Sequence, residues 1–199
     1  MNKIIQIIGE TVIIGLLASS TAFTDIYTLE LNASHSYLEA RYNAYLPLGS
    51  GIFSTGLGGI YRNDEYKLLD TKLTVGKELW APELRLNIGL KGVVGEVEHD
   101  RKKGDLIAAG LLISAVYSLP EAISPLPIRV SASVSYTPDS LCFSDSDRYR
   151  TVRTSLGFRV AENGEILLGY RYFYTRFNDH GKRWKVSDSL LYVGYGFSY

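Results

Sequence analysis

The chain ends in a run whose side chains alternate between large apolar and small or polar, Leu191-Tyr192-Val193-Gly194-Tyr195-Gly196-Phe197-Ser198-Tyr199. Because successive side chains of a β-strand point to opposite faces, the large residues at odd positions share one face. The other face carries Gly194, Gly196 and Ser198, which are too uncharged for a surface in water but small enough for a crowded barrel lumen. The run therefore predicts the last strand of an antiparallel transmembrane β-barrel of the outer-membrane kind.

The aromatic residue at the carboxyl terminus is a second indication. A final Phe or Tyr, preceded by alternating hydrophobic residues, resembles the signal by which outer-membrane proteins are recognised for assembly. The resemblance implies that the outer-membrane assembly machinery is a partner. The side chains that it would recognise are Val193, Tyr195, Phe197 and Tyr199.

The amino terminus has the features of an export signal. Met1-Asn2-Lys3 supplies a short positive region, residues 4–17 are mostly apolar, and Ser20-Thr21-Ala22 offers small residues before a cleavage point. Gly9-Glu10 interrupts the apolar run, which disfavours the alternative of an uncleaved anchor helix of about 20 residues. We predict a cleaved signal peptide at residues 1–22 and a single barrel domain at residues 23–199.

Composition sets limits on partners and chemistry. The chain has 21 basic and 21 acidic residues, so no overall charge attracts it to nucleic acid. Fifteen tyrosines against one methionine suit the water–lipid interface, where the ring is buried and the hydroxyl stays wet. Cys142 is the only cysteine, which precludes an intramolecular disulfide. No cysteine–histidine spacing indicates zinc, and we expect no cofactor.

Alternating segments of about ten residues recur along the chain between short turns and longer polar loops, as in transmembrane strands. The alternation of short and long connections predicts that both termini lie in the periplasm. Ten strands are predicted and eight is the nearest alternative, while residues 105–117 have a short helix as their alternative. The predicted strands are 26–33, 37–46, 52–61, 68–78, 84–91, 105–117, 128–136, 148–160, 165–177 and 186–199.

A soluble β-sandwich or a lipocalin-like calyx is the main alternative fold, because its strands also alternate but send their apolar side chains inward. Its surface in water would then carry Gly56, Gly89, Ser131, Ser133 and Gly194. Such a face is too small and too uncharged for an ordinary soluble protein, which favours the membrane barrel.

The inner face of the predicted barrel carries more basic than acidic residues. One interpretation is a narrow, anion-preferring pore. The other is a plug in which ion pairs with acidic residues such as Glu39 and Asp70 satisfy the buried charge. A ten-stranded barrel leaves little room for a water column, which favours the plug. The candidate lumen residues are Arg41, Lys72, Arg85, Lys91, Arg129, Arg153 and Arg171.

An enzyme is the alternative to a structural or pore-forming barrel. His35, His99 and His180 fall in or near predicted outward loops, where a barrel protease or lipid hydrolase would carry its site. No serine–histidine–acid motif accompanies them, and we predict no catalytic or metal site.

A surface-binding module is the third alternative. Two predicted loops are basic, Arg101-Lys102-Lys103 and Lys182-Arg183-Trp184-Lys185. Loops that project outward would contact the anionic surface of lipopolysaccharide, which together with the bilayer is the expected partner of this monomeric barrel. The aromatic residues beside the second loop are predicted to form a girdle at the membrane interface. They are Tyr170, Tyr172, Phe173, Tyr174 and Phe177.

The carboxyl-terminal half resembles a known family. Tyr136-Thr137-Pro138-Asp139-Ser140-Leu141, then Gly169-Tyr170-Arg171-Tyr172, then the aromatic last strand resemble in order and spacing the YfaZ-like outer-membrane proteins of Gram-negative bacteria. The resemblance rests on motifs over residues 120–199 and on strand rhythm over residues 23–119. It implies a small barrel in the cell outer membrane and transfers no catalytic residue. The basic loops depart from the acidic, glycine-rich loops of that family.

Overall fold

The structure, a computed structural model, describes residues 26–63, 65–79, 83–99, 102–120, 127–179 and 182–199. The predicted signal peptide at residues 1–22 lies outside these ranges. Within them, no helix is long and apolar enough to cross a membrane.

The described residues form ten long antiparallel strands and one strand, β8, of three residues. A single 3-10 turn, Asp139–Leu141, precedes β8. The strands are β1 (Ile26–Ser34), β2 (Tyr37–Leu48), β3 (Gly51–Arg62), β4 (Tyr66–Glu78), β5 (Leu84–His99), β6 (Lys102–Ser118), β7 (Ile128–Thr137), β8 (Cys142–Ser144), β9 (Ser146–Ala161), β10 (Gly164–Asp179) and β11 (Lys182–Ser198).

The strands close into a barrel. Each long strand pairs with the next long strand along the chain, so β7 pairs with β9, and β11 pairs with β1 to complete the ring. At the closure, Tyr27 and Tyr199 each donate a backbone hydrogen bond to the other at 3.0 Å. The prediction of ten strands is confirmed. The helical alternative for residues 105–117 is wrong, because these residues pair with β5 and β7 as part of β6.

Apolar side chains cover the outside of the barrel and polar ones fill its inside. Ile88 and Leu191 are 62% and 67% exposed, whereas Lys91 and Arg171 are 7% and 1% exposed. A protein in water almost never buries charges while it exposes a continuous aliphatic surface. Such an exterior needs lipid around it, so the fold is that of a transmembrane β-barrel and not of a soluble calyx.

The two ends of the barrel differ. The end with Ile26 and Tyr199 is called the terminal end here, and the opposite end is the far end. At the far end, β3 extends to Arg62, β4 begins at Tyr66, β5 extends to His99, β6 begins at Lys102, β10 extends to Asp179 and β11 begins at Lys182. Most of the described residues that were predicted to form long loops there are paired strand, so that prediction is wrong. Their charged side chains are compatible with pairing, because opposite charges such as Glu98 and Lys103 face each other across the ladder.

The ladder beside β6 is interrupted once. Pro138 has no N–H to donate, and β7 ends at Thr137 just before it. After the 3-10 turn, β8 resumes pairing with β6, where Cys142 lies opposite Ala108. The sequence did not predict this interruption.

Candidate functional site

The inside of the barrel has three successive levels. The far layer, next to the far end, is aromatic and aliphatic. The middle layer holds buried charges, and the vestibule at the terminal end is a polar cavity. These levels determine whether anything can pass through the barrel.

Glu39 is the centre of the middle layer. Its Oε1 accepts hydrogen bonds from Arg41 Nε at 2.5 Å and from Arg171 Nη1 at 3.5 Å. Its Oε2 accepts one from Asn32 Nδ2 at 3.2 Å and lies 3.8 Å from Arg153 Nη2. One carboxylate, itself 0% exposed, thus holds three guanidinium groups from β2, β9 and β10.

Two further carboxylates extend this network around the barrel. Arg41 Nη2 donates to Asp70 Oδ2 at 3.0 Å, and Lys91 Nζ lies 3.3 Å from the same oxygen. Arg153 Nη2 donates to Glu30 Oε2 at 2.9 Å. The ion pairs therefore connect six strands across the lumen: β1, β2, β4, β5, β9 and β10.

Two glycines of β3 make room for the network. A Cβ at Gly58 would lie 2.9 Å from Asp70 Oδ1, and one at Gly56 would lie 2.6 Å from Lys72 Cε. Since β3 contributes no side chain at this level, side chains of β2 and β4 lie across it and approach each other. Arg41 meets Asp70 in this way.

The far layer closes the lumen beyond the charges. The rings of Tyr66 and Tyr149 pack on Phe173 with centroids 5.1 Å and 5.8 Å apart. Tyr37 Oη accepts a hydrogen bond from Arg171 Nη1 at 3.0 Å, which links this layer to the middle one. The buried hydrophobic members of the far layer are Tyr37, Ile60, Tyr66, Leu68, Val93, Val97, Leu106, Ala108, Tyr149, Phe173, Phe177, Val186 and Tyr192.

The predicted aromatic girdle on β10 is wrong in part. Phe173 and Phe177 are fully buried inside the barrel, and only Tyr170, Tyr172 and Tyr174 lie on the outer face. The sequence could have predicted this placement. Side chains two residues apart on a strand point the same way, so positions 173 and 177 share the inward face of Arg171. The buried tyrosines of the far layer were likewise missed, since tyrosine was assigned to the interface by composition.

The vestibule is a cavity of about 290 Å³ at the terminal end. Arg85 and Arg129 line it together with Tyr45. The guanidinium carbon of Arg85 lies 5.3 Å from the centre of the Tyr45 ring, and Arg129 Nη1 lies 2.9 Å from Glu165 Oε2. An anion could enter this cavity from the terminal end and would then meet the middle layer.

The seven basic candidates all face the lumen but fall into two groups. Arg41, Lys91, Arg153 and Arg171 are bound within the middle layer, and Lys72 lies opposite Lys91 on the same inner face. The other two, Arg85 and Arg129, line the vestibule, where Arg129 pairs with Glu165. The basic candidates therefore lie at two different depths of the lumen.

The described histidines lie apart from this lumen. His35 is in the turn between β1 and β2, and His99 ends β5, so the β3–β4 hairpin separates them. His180 lies outside the described residues. In the described ranges, no three His, Cys, Asp or Glu side chains group as metal ligands.

No family model matches the chain, and no curated protein matches its sequence. Three solved structures are similar at low identity. A chain solved in work on in-meso crystallization of membrane proteins aligns with a TM-score of 0.45 and 10% identity, over 88% of this chain and 83% of that one.

The outer membrane channel DcaP of Acinetobacter baumannii aligns with a TM-score of 0.44 and 7% identity, over 91% of this chain and 55% of that one. OmpT, an outer membrane protein of Vibrio cholerae folded in vitro, aligns with a TM-score of 0.36 and 9% identity, over 86% of this chain and 64% of that one. The chain thus spans about half of the DcaP chain and just under two thirds of OmpT.

Proposed function

We propose that the protein is a small outer-membrane β-barrel with a closed lumen, which acts as a membrane-embedded scaffold and not as a pore. The observation that carries this proposal is the set of bonds from Glu39 to Arg41, Arg153 and Arg171. These contacts cross the lumen and fill the middle layer with buried charged side chains.

Two barriers in series oppose the passage of ions. An anion in the vestibule would have to separate Glu39 from its guanidinium partners, and breaking a buried ion pair costs about 3–5 kcal/mol. It would then enter the far layer, where rings such as Phe173 and Tyr149 replace water and offer an ion little compensation. Either barrier alone makes steady conduction unfavourable.

The outer surface supports placement in the outer membrane, and we propose that both termini lie in the periplasm. At the terminal end, the rings of Tyr27, Tyr42, Phe197 and Tyr199 form successive stacked pairs with centroids 5.6 to 6.1 Å apart. Tyrosines of β10 face outward nearer the far end. Aromatic side chains near both ends of an apolar belt are typical of outer-membrane barrels. The YfaZ-like relationship and the monomeric state stay predictions.

Conductance of the refolded mature chain in a planar lipid bilayer tests the closed lumen. We expect protein that migrates as a heat-modifiable band and produces no conductance steps. Protease protection of the same preparation in vesicles shows that the silent protein is inserted. Discrete steps with anion preference that Arg85→Glu or Arg129→Glu diminishes would contradict the proposal and establish the narrow pore.

A further inference from the structure

Three adjacent strands place basic side chains directly beside one another on the outer face, near the far end. Arg176 of β10 lies opposite Arg148 of β9 and also opposite Lys185 of β11. Two residues nearer the middle of the barrel, Arg150 of β9 lies opposite Tyr174. Opposite residues in an antiparallel pair have Cβ atoms about 5 Å apart, so one ligand can contact several of these cations. Arg148, Arg150, Arg176 and Lys185 are called the basic row.

The members of the basic row face outward. Tyr149, Thr175 and Val186 are their chain neighbours on the three strands, and all three are buried inside the barrel. Side chains alternate along a strand, so the basic neighbours project from the opposite face. The row is therefore part of the surface that meets the membrane or its headgroups.

Carboxylates compensate little of this charge. Arg148 Nε lies 3.3 Å from Asp139 Oδ1, in a pair whose two side chains are both exposed. The guanidinium of Arg150 lies over the Tyr174 ring, 4.5 Å from its centre. Among the described side chains, no carboxylate pairs with Arg176 or Lys185. Like charges directly opposite each other destabilise a sheet, so the row favours an anionic partner.

On the opposite side of the barrel, the described residues of the far end carry no such excess. On β4 and β5, Lys67 lies opposite Glu96. Lys103 Nζ lies 2.9 Å from Glu96 Oε2, and Glu98 lies opposite Lys103. The charges of this side are balanced, so the basic row is a local feature and not a general property of the rim.

The basic row lies above a graded surface on the same strands. Towards the middle of the barrel, the outer face of β10 continues with Tyr172 and Tyr170. It then reaches the aliphatic set Leu156, Leu168 and Val193, which lie opposite one another on β9, β10 and β11. Charge, then tyrosine, then aliphatic surface is the order of a leaflet from headgroup to acyl chain. The row thus lies at the depth of headgroup phosphates.

We propose that the basic row binds the phosphate groups of an anionic glycolipid of the lipopolysaccharide class, with acyl chains packed along Tyr170 and Leu168. Guanidinium groups form bidentate, charge-assisted hydrogen bonds with phosphate, which suits Arg150 and Arg176. The inference rests on the proposed outer-membrane placement. It also moves the expected contact from the loops to the strand face, because Lys103 is paired with Glu96.

The test measures retention of purified lipid A with both phosphates by the refolded, heat-modifiable barrel, using native mass spectrometry. The test variant is Arg150→Gln/Arg176→Gln/Lys185→Gln. The matched control, Lys67→Gln/Lys102→Gln/Lys103→Gln, removes the same number of positive charges from the other side of the far end. We expect the first variant to weaken retention about tenfold or more and the control to change it less than about twofold. Dephosphorylated lipid A should bind the unaltered protein as weakly as lipid A binds the first variant.

Several outcomes would overturn the inference. They are unchanged retention by the first variant, an equal loss in the control, equal binding of dephosphorylated lipid A, or displacement of lipid A by an equivalent concentration of inorganic phosphate. Bilayer recordings on the same preparations keep the two proposals separate. A conducting barrel that retains lipid A contradicts only the closed lumen, and a silent barrel that does not retain it contradicts only the basic row.

Discussion

Glu39 shows why single residues matter in this lumen. Its carboxylate is buried and accepts from Arg41, Arg171 and Asn32. A buried ion-pair network adds little net stability over a well-packed apolar core, but removal of one partner leaves the others uncompensated. The network therefore matters more for the proposed closure of the lumen than for the overall stability of the barrel.

Glu39→Gln should lower the free energy of unfolding by about 3–5 kcal/mol, because three guanidinium groups then lose a common counter-ion. Glu65→Gln is the control: Glu65 lies 3.2 Å from Arg62 in a partly exposed pair, and its loss should cost less than about 1 kcal/mol. Urea unfolding of the refolded variants, followed by tryptophan fluorescence, measures both values. Equal losses in the two variants would refute the central role of Glu39.

Cys142 gives a pH-dependent prediction at the far end. Burial raises the pKa of its thiol, and the nearby charges of Asp139 and Asp147 act in the same direction. A raised pKa means less thiolate at neutral pH, so alkylation by iodoacetamide should be slower than that of a free cysteine at pH 7 and should accelerate only in more alkaline solution than a free cysteine requires. Asp147→Asn should increase the rate at a given pH, and a rate already maximal at pH 7 would contradict the expectation.

The last strand combines two tasks at the scale of an element. β11 pairs with β10 along its whole length and with β1 at the closure. Its outward side chains include Val193, Tyr195 and Phe197, and Tyr199 follows directly after the strand. These are the side chains predicted to be the assembly signal. Recognition would use side chains, whereas closure uses the backbone, and the two contributions can be separated.

Tyr199→Ser should slow assembly in cells and leave the stability of the refolded barrel nearly unchanged, because the backbone bonds with Tyr27 remain. Deletion of Tyr199 should slow assembly and also lower the stability of the refolded barrel, since it removes the two 3.0 Å backbone hydrogen bonds that close the ring. The heat-modifiable fraction in outer membranes and the urea midpoint measure the two effects. Normal assembly of Tyr199→Ser would exclude this residue from the signal.

Gly169 shows how β10 and β11 accommodate a buried ring. A Cβ at this position would overlap the Tyr192 ring and lie 2.7 Å from the Thr154 carbonyl oxygen. Gly169→Ala should therefore destabilise the barrel by about 1–3 kcal/mol through overpacking. Gly59→Ala, where no atom lies within 4 Å of the new Cβ, should be neutral or slightly stabilising. Similar urea midpoints for both variants would show that Tyr192 moves aside freely.

The two ends of the barrel differ in their side chains, as its inner and outer faces do. The vestibule opens at the terminal end, while aromatic packing and the basic row belong to the far end. The proposed orientation, with both termini in the periplasm, would turn the far end to the outside. A functional partner outside the cell would then meet hairpin tips and not an open channel.

In a Cys142→Ser background, Glu98→Cys at the far end should react with a membrane-impermeant maleimide on intact cells. Ser50→Cys, in the turn between β2 and β3 at the terminal end, should react only after the outer membrane is opened. The expectation follows from the location of Glu98 near the far end of β5 and of Ser50 in the β2–β3 turn, at opposite ends of the barrel. Labelling of Ser50→Cys on intact cells would reverse the proposed orientation.

Alternation along the chain was sufficient to predict ten strands and the inward face of the seven basic lumen candidates, because side-chain parity is a local property of a strand. Alternation does not indicate which side chains contact each other across the lumen. Glu39 and Arg171 are 132 residues apart and meet only when β11 pairs with β1 and closes the ring. The packing of Tyr66 on Phe173 depends in the same way on strands that are distant in the sequence. Register is set by pairing across the whole barrel, and no single segment contains it.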